Sequence, residues 1–309
     1  MASSARAVVI VSGGAAVSPF TTPDHACGEG MAAGSTDTYL RERLLAAGFT
    51  VYTSPANAGP GPAIEDTGFA GFTRPAEVLD ADLTVNAVGP IDDAGTHLAR
   101  FLGHLAERFG HDGFDLVAHS MGGLFSRSAI RQLRSADPAF TVLSLTTIGT
   151  PWTGGFTADF TAGDLTLAAA DGDQRFEQIM LEFAEEVRSL PTPNAGQQVA
   201  GRYLAGPDGW NERQAGVLDD FEVTLIAGDA FHGSGPIWPH DGLVTRTSAL
   251  ASGVPAEVLP HRTEHVFPDA HSIYLCDRTG LPWERALTWD PAVADLIIDT
   301  LHRRSSPTS

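Results

Sequence analysis

The chain has 309 residues, 43% of them hydrophobic, enough for one large domain or two small ones with a substantial core. Its formal net charge of −19, from 38 acidic against 19 basic residues, argues against partners that need a basic surface, such as nucleic acid or an anionic membrane. All the basic residues are arginine, a compositional bias that carries no functional signal. Two cysteines are too few for a disulfide framework, and the opening MASSARAVVIVSGG holds an apolar run too short for a signal-peptide core or a membrane span. No integral membrane association is expected, and the location is cytoplasm, or secretion through a leader not present in this chain.

From the N-terminus, RAVVIV (Arg6 to Val11) is a continuous β-branched run ended by Gly13 and Gly14, as expected of a strand buried on both faces. After a loop rich in Gly, Pro and Thr, STDTYLRERLLAAG reads as a helix with Ser35 as N-cap and Gly48 as its stop. FTVYTS (Phe49 to Ser54) is the next strand, followed by a long surface loop from Gly59 to Arg74 with repeated Gly and Pro. Between Asp92 and Phe109, Leu98, Phe101, Leu102, Leu105 and Phe109 recur at spacings of three and four, which gives a helix one buried face. A short strand, FDLVAHS, then leads into a helical pattern, GGLFSRSAIRQLR. FTVLSLTTIGTP and FEVTLIAGD (Phe221 to Asp229) are further strands. The alternation predicts an α/β fold with a mostly parallel central sheet covered by helices on both faces.

The interval from Trp152 to Asp220 interrupts that alternation with an amphipathic helix, QRFEQIMLEFAEEVRSL, between Gly-, Asp- and Pro-rich stretches. It reads as a cap inserted at 152–220 into a single domain spanning 1–309. DPAVADLIIDTLHRR closes the domain as a helix with Asp290 as N-cap, Pro291 at its first position and arginines at its far end, the charge order that a helix dipole favours.

The stretch DLVAHSMGG is the informative one. A strand running directly into Ala-His-Ser120-Met-Gly-Gly and then a helix forces Ser120 onto a tight turn, a nucleophile elbow that presents its hydroxyl at the sheet edge. The backbone N–H of Met121 then sits at a helix N-terminus, where a developing oxyanion is stabilised. The first position of the usual G-x-S-x-G is Ala118, which is small enough to fit.

A serine hydroxyl needs a histidine base, itself oriented by a carboxylate, and behind such an elbow the chain order is Ser, acid, His. Downstream of Ser120, Asp229 and Asp241 compete as the acid, and HRTEHVFPDAHSIYL offers His261, His265 and His271 as the base. Spacings of four and six with Pro268 between do not suit a metal on one helix face. The Gly13-Gly14 pair lacks both a G-x-G-x-x-G and a P-loop lysine, so a nucleotide site is disfavoured and no cofactor is expected.

DLVAHSMGG resembles the nucleophile region of bacterial lipases and esterases of the α/β-hydrolase superfamily, some of which carry A-H-S-x-G. TTIGTPWTGG (Thr146 to Gly155) is similar to their strand and loop after the nucleophile helix, and HDGLV (His240 to Val244) to the segment bearing their aspartate. The matches leave Trp152 to Asp220 and the loop from Pro19 to Gly34 uncovered. The resemblance implies an α/β-hydrolase fold and Asp241 as the acid. His271, at a turn before an apolar helical start, is then the base, with His265 next. It also implies a second oxyanion N–H from the loop after the first strand, where Ser12-Gly13-Gly14 stands for H-G-x, so from Gly14 or Ala15. The acidic partner that some relatives carry just after the base for a structural calcium is missing, and no metal is expected.

Cys27 and Cys276 both map near the active-site edge, and a bridge between them is one of two open states, two free thiols being the other. The stripe Phe176, Ile179, Met180, Phe183 and Val187 could line an acyl pocket or pack on the domain. With Trp152, Phe156, Phe160, Trp210, Phe231 and Trp238, it suggests an aromatic-rich pocket for an uncharged ester, with Trp152, Phe231 and Trp238 as substrate contacts. The expectation is a serine ester hydrolase, an esterase or lipase working through an acyl-enzyme on a small-molecule or lipid ester. The same triad also serves amide, thioester or acyl-transfer chemistry, and a non-catalytic binding protein on this fold is the alternative from another class.

Overall fold

The protein, seen here as a computed structural model, is described for residues 6–24, 37–64, 77–220 and 222–305. Its centre is a six-stranded sheet in the order β2-β1-β5-β6-β7-β8, with every neighbouring pair parallel. The strands are β1 (Arg6–Val11), β2 (Val51–Thr53), β5 (Gly113–His119), β6 (Thr141–Ile148), β7 (Val223–Gly228) and β8 (Arg262–Phe267). A separate parallel pair, β3 (Ala56–Asn57) and β4 (Val85–Asn86), has no counterpart in the sequence reading; its two-residue strands are too short for a periodicity.

The β-branched run of β1 is explained by its two covered faces. Ala7, Val9 and Val11 pack with Phe101, Leu102 and Leu105 of α2 (Ile91–Phe109) and with Leu124 and Phe125 of α3 (Gly122–Ala136). Val8 and Ile10 point the other way, into a cluster with Leu40 and Leu44 of α1 (Thr38–Ala46) and with Val293, Ile297 and Leu301 of α7 (Pro291–Ser305). Each such side chain removed from water contributes about 1.5–3 kcal/mol. α1 starts with Asp37 at its N-cap position; the predicted cap, Ser35, lies outside the described residues, as does most of the Gly59 to Arg74 loop. Asp290 caps α7 as its sequence implied, its Oδ1 accepting the Ala292 N–H at 2.7 Å.

The interval between β6 and β7 holds α4 (Phe156–Ala162) and α5 (Gln174–Ser189), followed by two single helical turns. Asp173 caps α5 by accepting the Arg175 N–H at 3.0 Å. The chain passes from β1 to β2 on one side and then returns to β5 on the other. The strand order therefore reverses at β1 and β5, and their carboxyl ends open a crevice between them. No helix among the described residues is long and apolar enough to cross a membrane.

Candidate active site

Ser120 follows directly on β5 and adopts φ +54°, a left-handed conformation that costs a residue with a Cβ about 1–2 kcal/mol. Its surroundings enforce the turn. The Ser120 N–H donates to the Ile148 carbonyl at 2.8 Å, and the Ser120 carbonyl accepts from the Thr150 hydroxyl at 2.7 Å. The two glycines after Met121 answer to close packing: a Cβ on Gly122 would lie 2.4 Å from the Val11 carbonyl oxygen, and one on Gly123 2.3 Å from Thr150 Oγ1. Gly-Gly thus lets α3 begin against the end of β1, which brings the Ser12-Gly13-Gly14 loop beside the serine. A Cβ on Gly13 would stand 2.6 Å from Ser120 Cβ.

Asp241 and His271 come together. His271 Nδ1–H donates to Asp241 Oδ2 at 2.7 Å, and the His271 N–H donates to the Asp241 carbonyl, also at 2.7 Å. Asp241 is fully buried, and its other oxygen accepts the N–H groups of Leu243 at 3.0 Å and Val244 at 2.8 Å. His271 Nε2 is buried and makes no hydrogen bond among the described residues, yet His271 and Ser120 line one cavity. The competitors stand elsewhere. Asp229 is paired with Arg246 at 3.1 Å, and His265 lies on β8, the strand at the open edge of the sheet, in register with Ile226. His261 is exposed just before that strand.

Met121 N–H and Gly14 N–H form no hydrogen bond among the described residues, whereas Ala15 N–H donates to the Ala87 carbonyl at 3.3 Å. Of the two candidates in that loop, Gly14 is the one with a free donor. Ser12 donates its hydroxyl to Asp37 Oδ2 at 2.6 Å.

The sequence reading missed His119. Its ring lies 4.7 Å from that of His271, and its Nε2–H donates to the His271 carbonyl at 2.8 Å, tying the elbow to the histidine loop. Burial first, and then the charge His271 would carry, push the His119 pKa down to about 3, so it is neutral at ordinary pH.

The cavity encloses about 530 Å³ between the elbow, the Gly13-Gly14 loop and α5. Ile179, Phe183 and Val187 of α5 face it, with Val17 and Val88 opposite; Glu182 and Glu186 reach its lining from the same helix. Phe176 and Met180, also in the predicted stripe, turn instead into the core beneath. The three expected substrate contacts require correction: Trp152, Phe231 and Trp238 do not line this cavity. Trp152 is fully buried, donates its indole N–H to Thr147 Oγ1 at 3.2 Å and is stacked by the Arg127 guanidinium at 4.1 Å. Phe231 and Trp238 pack around His240. Large rings near the carboxyl edge gain more from full burial than from a half-open wall, and core packing claims them.

Cys276 is a buried free thiol, pushed up to about 12 mainly by burial; Cys27 lies outside the described residues. No cluster of metal-ligating side chains occurs among the described residues.

No family model matches the chain, and no curated protein does. Solved structures do resemble it. A Bacillus licheniformis lipase in its propeptide form superposes with a TM-score of 0.51 at 15% identity, over 98% of this chain and 50% of that one. This chain thus spans about half the length of that lipase. A Pyrococcus furiosus esterase superposes with a TM-score of 0.50 at 14% identity, over 98% of this chain and 83% of that one. Together with the parallel strand order and the helices on both faces, these superpositions show that the chain has the α/β-hydrolase fold.

Proposed function

We propose that this protein is a serine hydrolase of carboxylic esters, with Ser120 as nucleophile, His271 as base and Asp241 as the orienting acid. One observation carries the reading. A buried histidine with its Nδ1–H bound to a buried aspartate, and its Nε2 without a partner among the described residues, shares a cavity with a serine held in a strained elbow. Hydrogen bonds between nucleophile and base are often long in ligand-free sites and close when substrate is seated.

In the proposed reaction Ser120 Oγ bonds to the ester carbonyl carbon while its proton passes to His271 Nε2. The carbonyl oxygen, now negative, accepts hydrogen bonds from the N–H groups of Met121 and Gly14, each such donor being worth about 3–4 kcal/mol in the transition state. Asp241 stabilises the imidazolium formed. Collapse of the tetrahedral species breaks the ester C–O bond, and the departing alcohol takes the proton from His271. Water then attacks the acyl-enzyme with His271 accepting its proton, and that proton returns to Ser120 Oγ as the carboxylic acid leaves.

The apolar walls Ile179, Phe183, Val187, Val17 and Val88 suit an uncharged, fairly apolar acyl group, and the carboxylates at the lining disfavour an anionic one. In this reading the interval 152–220, through α5, forms a cap within a single domain. The test is hydrolysis of p-nitrophenyl esters from acetate to palmitate by wild type and Ser120→Ala. A loss of at least about a thousandfold in the variant is expected. Equal rates in both proteins, or none in either, would sink Ser120 as an ester nucleophile.

A further inference from the structure

His240 immediately precedes the acid and is fully buried. Four aromatic rings surround it: Trp238 at 4.3 Å, Phe176 of α5 at 4.5 Å, Phe156 of α4 at 4.9 Å and Phe231 at 5.6 Å. Its Nδ1 accepts the backbone N–H of Gly242 at 2.9 Å, which fixes the tautomer with hydrogen on Nε2, and Nε2 finds no oxygen or nitrogen partner among the described residues. An apolar box that holds a histidine rather than a fifth apolar side chain calls for a reason.

The backbone of the acid turn supplies one. His240 N–H donates to the Phe231 carbonyl, Asp241 N–H to the Val244 carbonyl, and the N–H groups of Leu243 and Val244 to the Asp241 carboxylate itself. The remaining donor of the turn, on buried Gly242 at φ +112°, is taken by His240 Nδ1. A side chain bonding the N–H two residues on reproduces the turn that Asn and Asp make with their own backbone. Here it holds the residue between them, Asp241, with Oδ2 toward His271.

We infer that His240 is a positioning residue: its Nδ1 pins the Gly242 N–H and so fixes the Asp241 carboxylate against His271. Burial pushes the His240 pKa down to about 4, which keeps Nδ1 an acceptor across the ordinary pH range.

The inference rests on the hydrolase reading, and its test is chosen to be separable from it. His240→Asn places an acceptor oxygen on Cγ, where Nδ1 sits. His240→Gln moves that oxygen one bond outward, and His240→Phe fills the box with no acceptor. Two readouts apply to each full-length variant: kcat and KM on p-nitrophenyl butyrate, and the downfield proton resonance of the His271 Nδ1–H bound to Asp241, which needs no turnover. In His240→Asn, kcat stays within about threefold of wild type and the resonance keeps its place. In the Gln and Phe variants kcat falls tenfold or more with KM nearly unchanged, and the resonance moves or broadens. Equal impairment of Asn and Gln overturns the inference, because the acceptor position would then not matter. A wild-type resonance in Gln or Phe overturns it as well. Wild-type protein that keeps the resonance but shows no Ser120-dependent hydrolysis refutes the hydrolase reading alone.

Discussion

Gly149 ends β6 at φ +59°, and a Cβ placed there would lie 3.0 Å from His271 Nδ1 and 3.1 Å from Asp241 Oδ2. Gly149→Ala therefore acts in two ways. It imposes the left-handed penalty of about 1–2 kcal/mol, and it drives a methyl group against both ends of the 2.7 Å bond between His271 and Asp241. The backbone has little room to retreat, because the Gly149 N–H donates to the Ile226 carbonyl at 2.8 Å. Gly163→Ala separates the two effects: Gly163 has φ +83° with nothing within 4 Å of its would-be Cβ. Both variants should lose up to about 4 °C in Tm per kcal/mol. Gly149→Ala alone should lose about ten- to a hundredfold in kcat, since small displacements of a catalytic group are costly. Thermal melts and p-nitrophenyl butyrate kinetics on the pair make the comparison, and equal kcat in both variants would refute the argument.

Three more outcomes are expected. Asp269, fully buried two residues before His271, has its pKa pushed up to about 7 by burial first, then by the neighbouring Asp290 carboxyl, with Arg285 opposing. A carboxyl raised in the folded state contributes stability that is complete below its unfolded pKa near 4 and fades as pH rises toward 7. Asp269→Asn should therefore remove part of the decline in Tm between pH 5 and 8, and an unchanged slope would count against a raised Asp269 carboxyl. Arg127 is fully buried with its guanidinium 4.1 Å from the Trp152 ring and 4.7 Å from that of Trp210, and donates to Asn211 Oδ1 at 2.8 Å. Urea titration should find Arg127→Met within about 1.5 kcal/mol of wild type and Arg127→Ala less stable by about 3 kcal/mol or more, because the alanine leaves a cavity between two indoles. Glu186 lines the cavity from an exposed position on α5. Glu186→Lys should raise kcat/KM for mono-p-nitrophenyl glutarate relative to p-nitrophenyl valerate by about threefold to tenfold at low salt, with the gain shrinking as salt is added.

The sequence by itself determined the parts set by neighbours along the chain. Buried strands reported themselves as β-branched runs, α2 and α5 as apolar residues three and four apart, and the elbow as a strand followed by Ser120, Gly122 and Gly123. The reason for those glycines is remote in sequence: a Cβ on Gly122 would meet the Val11 carbonyl, and one on Gly123 the Thr150 side chain. Tertiary structure alone decided whatever depended on which distant surfaces meet. The turn before an apolar helical start favoured His271 over His265 in the sequence, but only the tertiary structure brings His271 within 2.7 Å of Asp241, thirty residues back. His119 reaches His271 across 152 residues, and Ala87 takes the Ala15 N–H, while that of Gly14 has no partner among the described residues. The aromatic side chains show the same limit. Composition and spacing placed Trp152, Phe231 and Trp238 near the carboxyl edge, but whether a ring faces a cavity or a core depends on its partners. Arg127 and His240 supplied those partners in three dimensions. Periodicity encodes that a side chain is buried, whereas its partner is fixed only when the sheet order brings remote segments together.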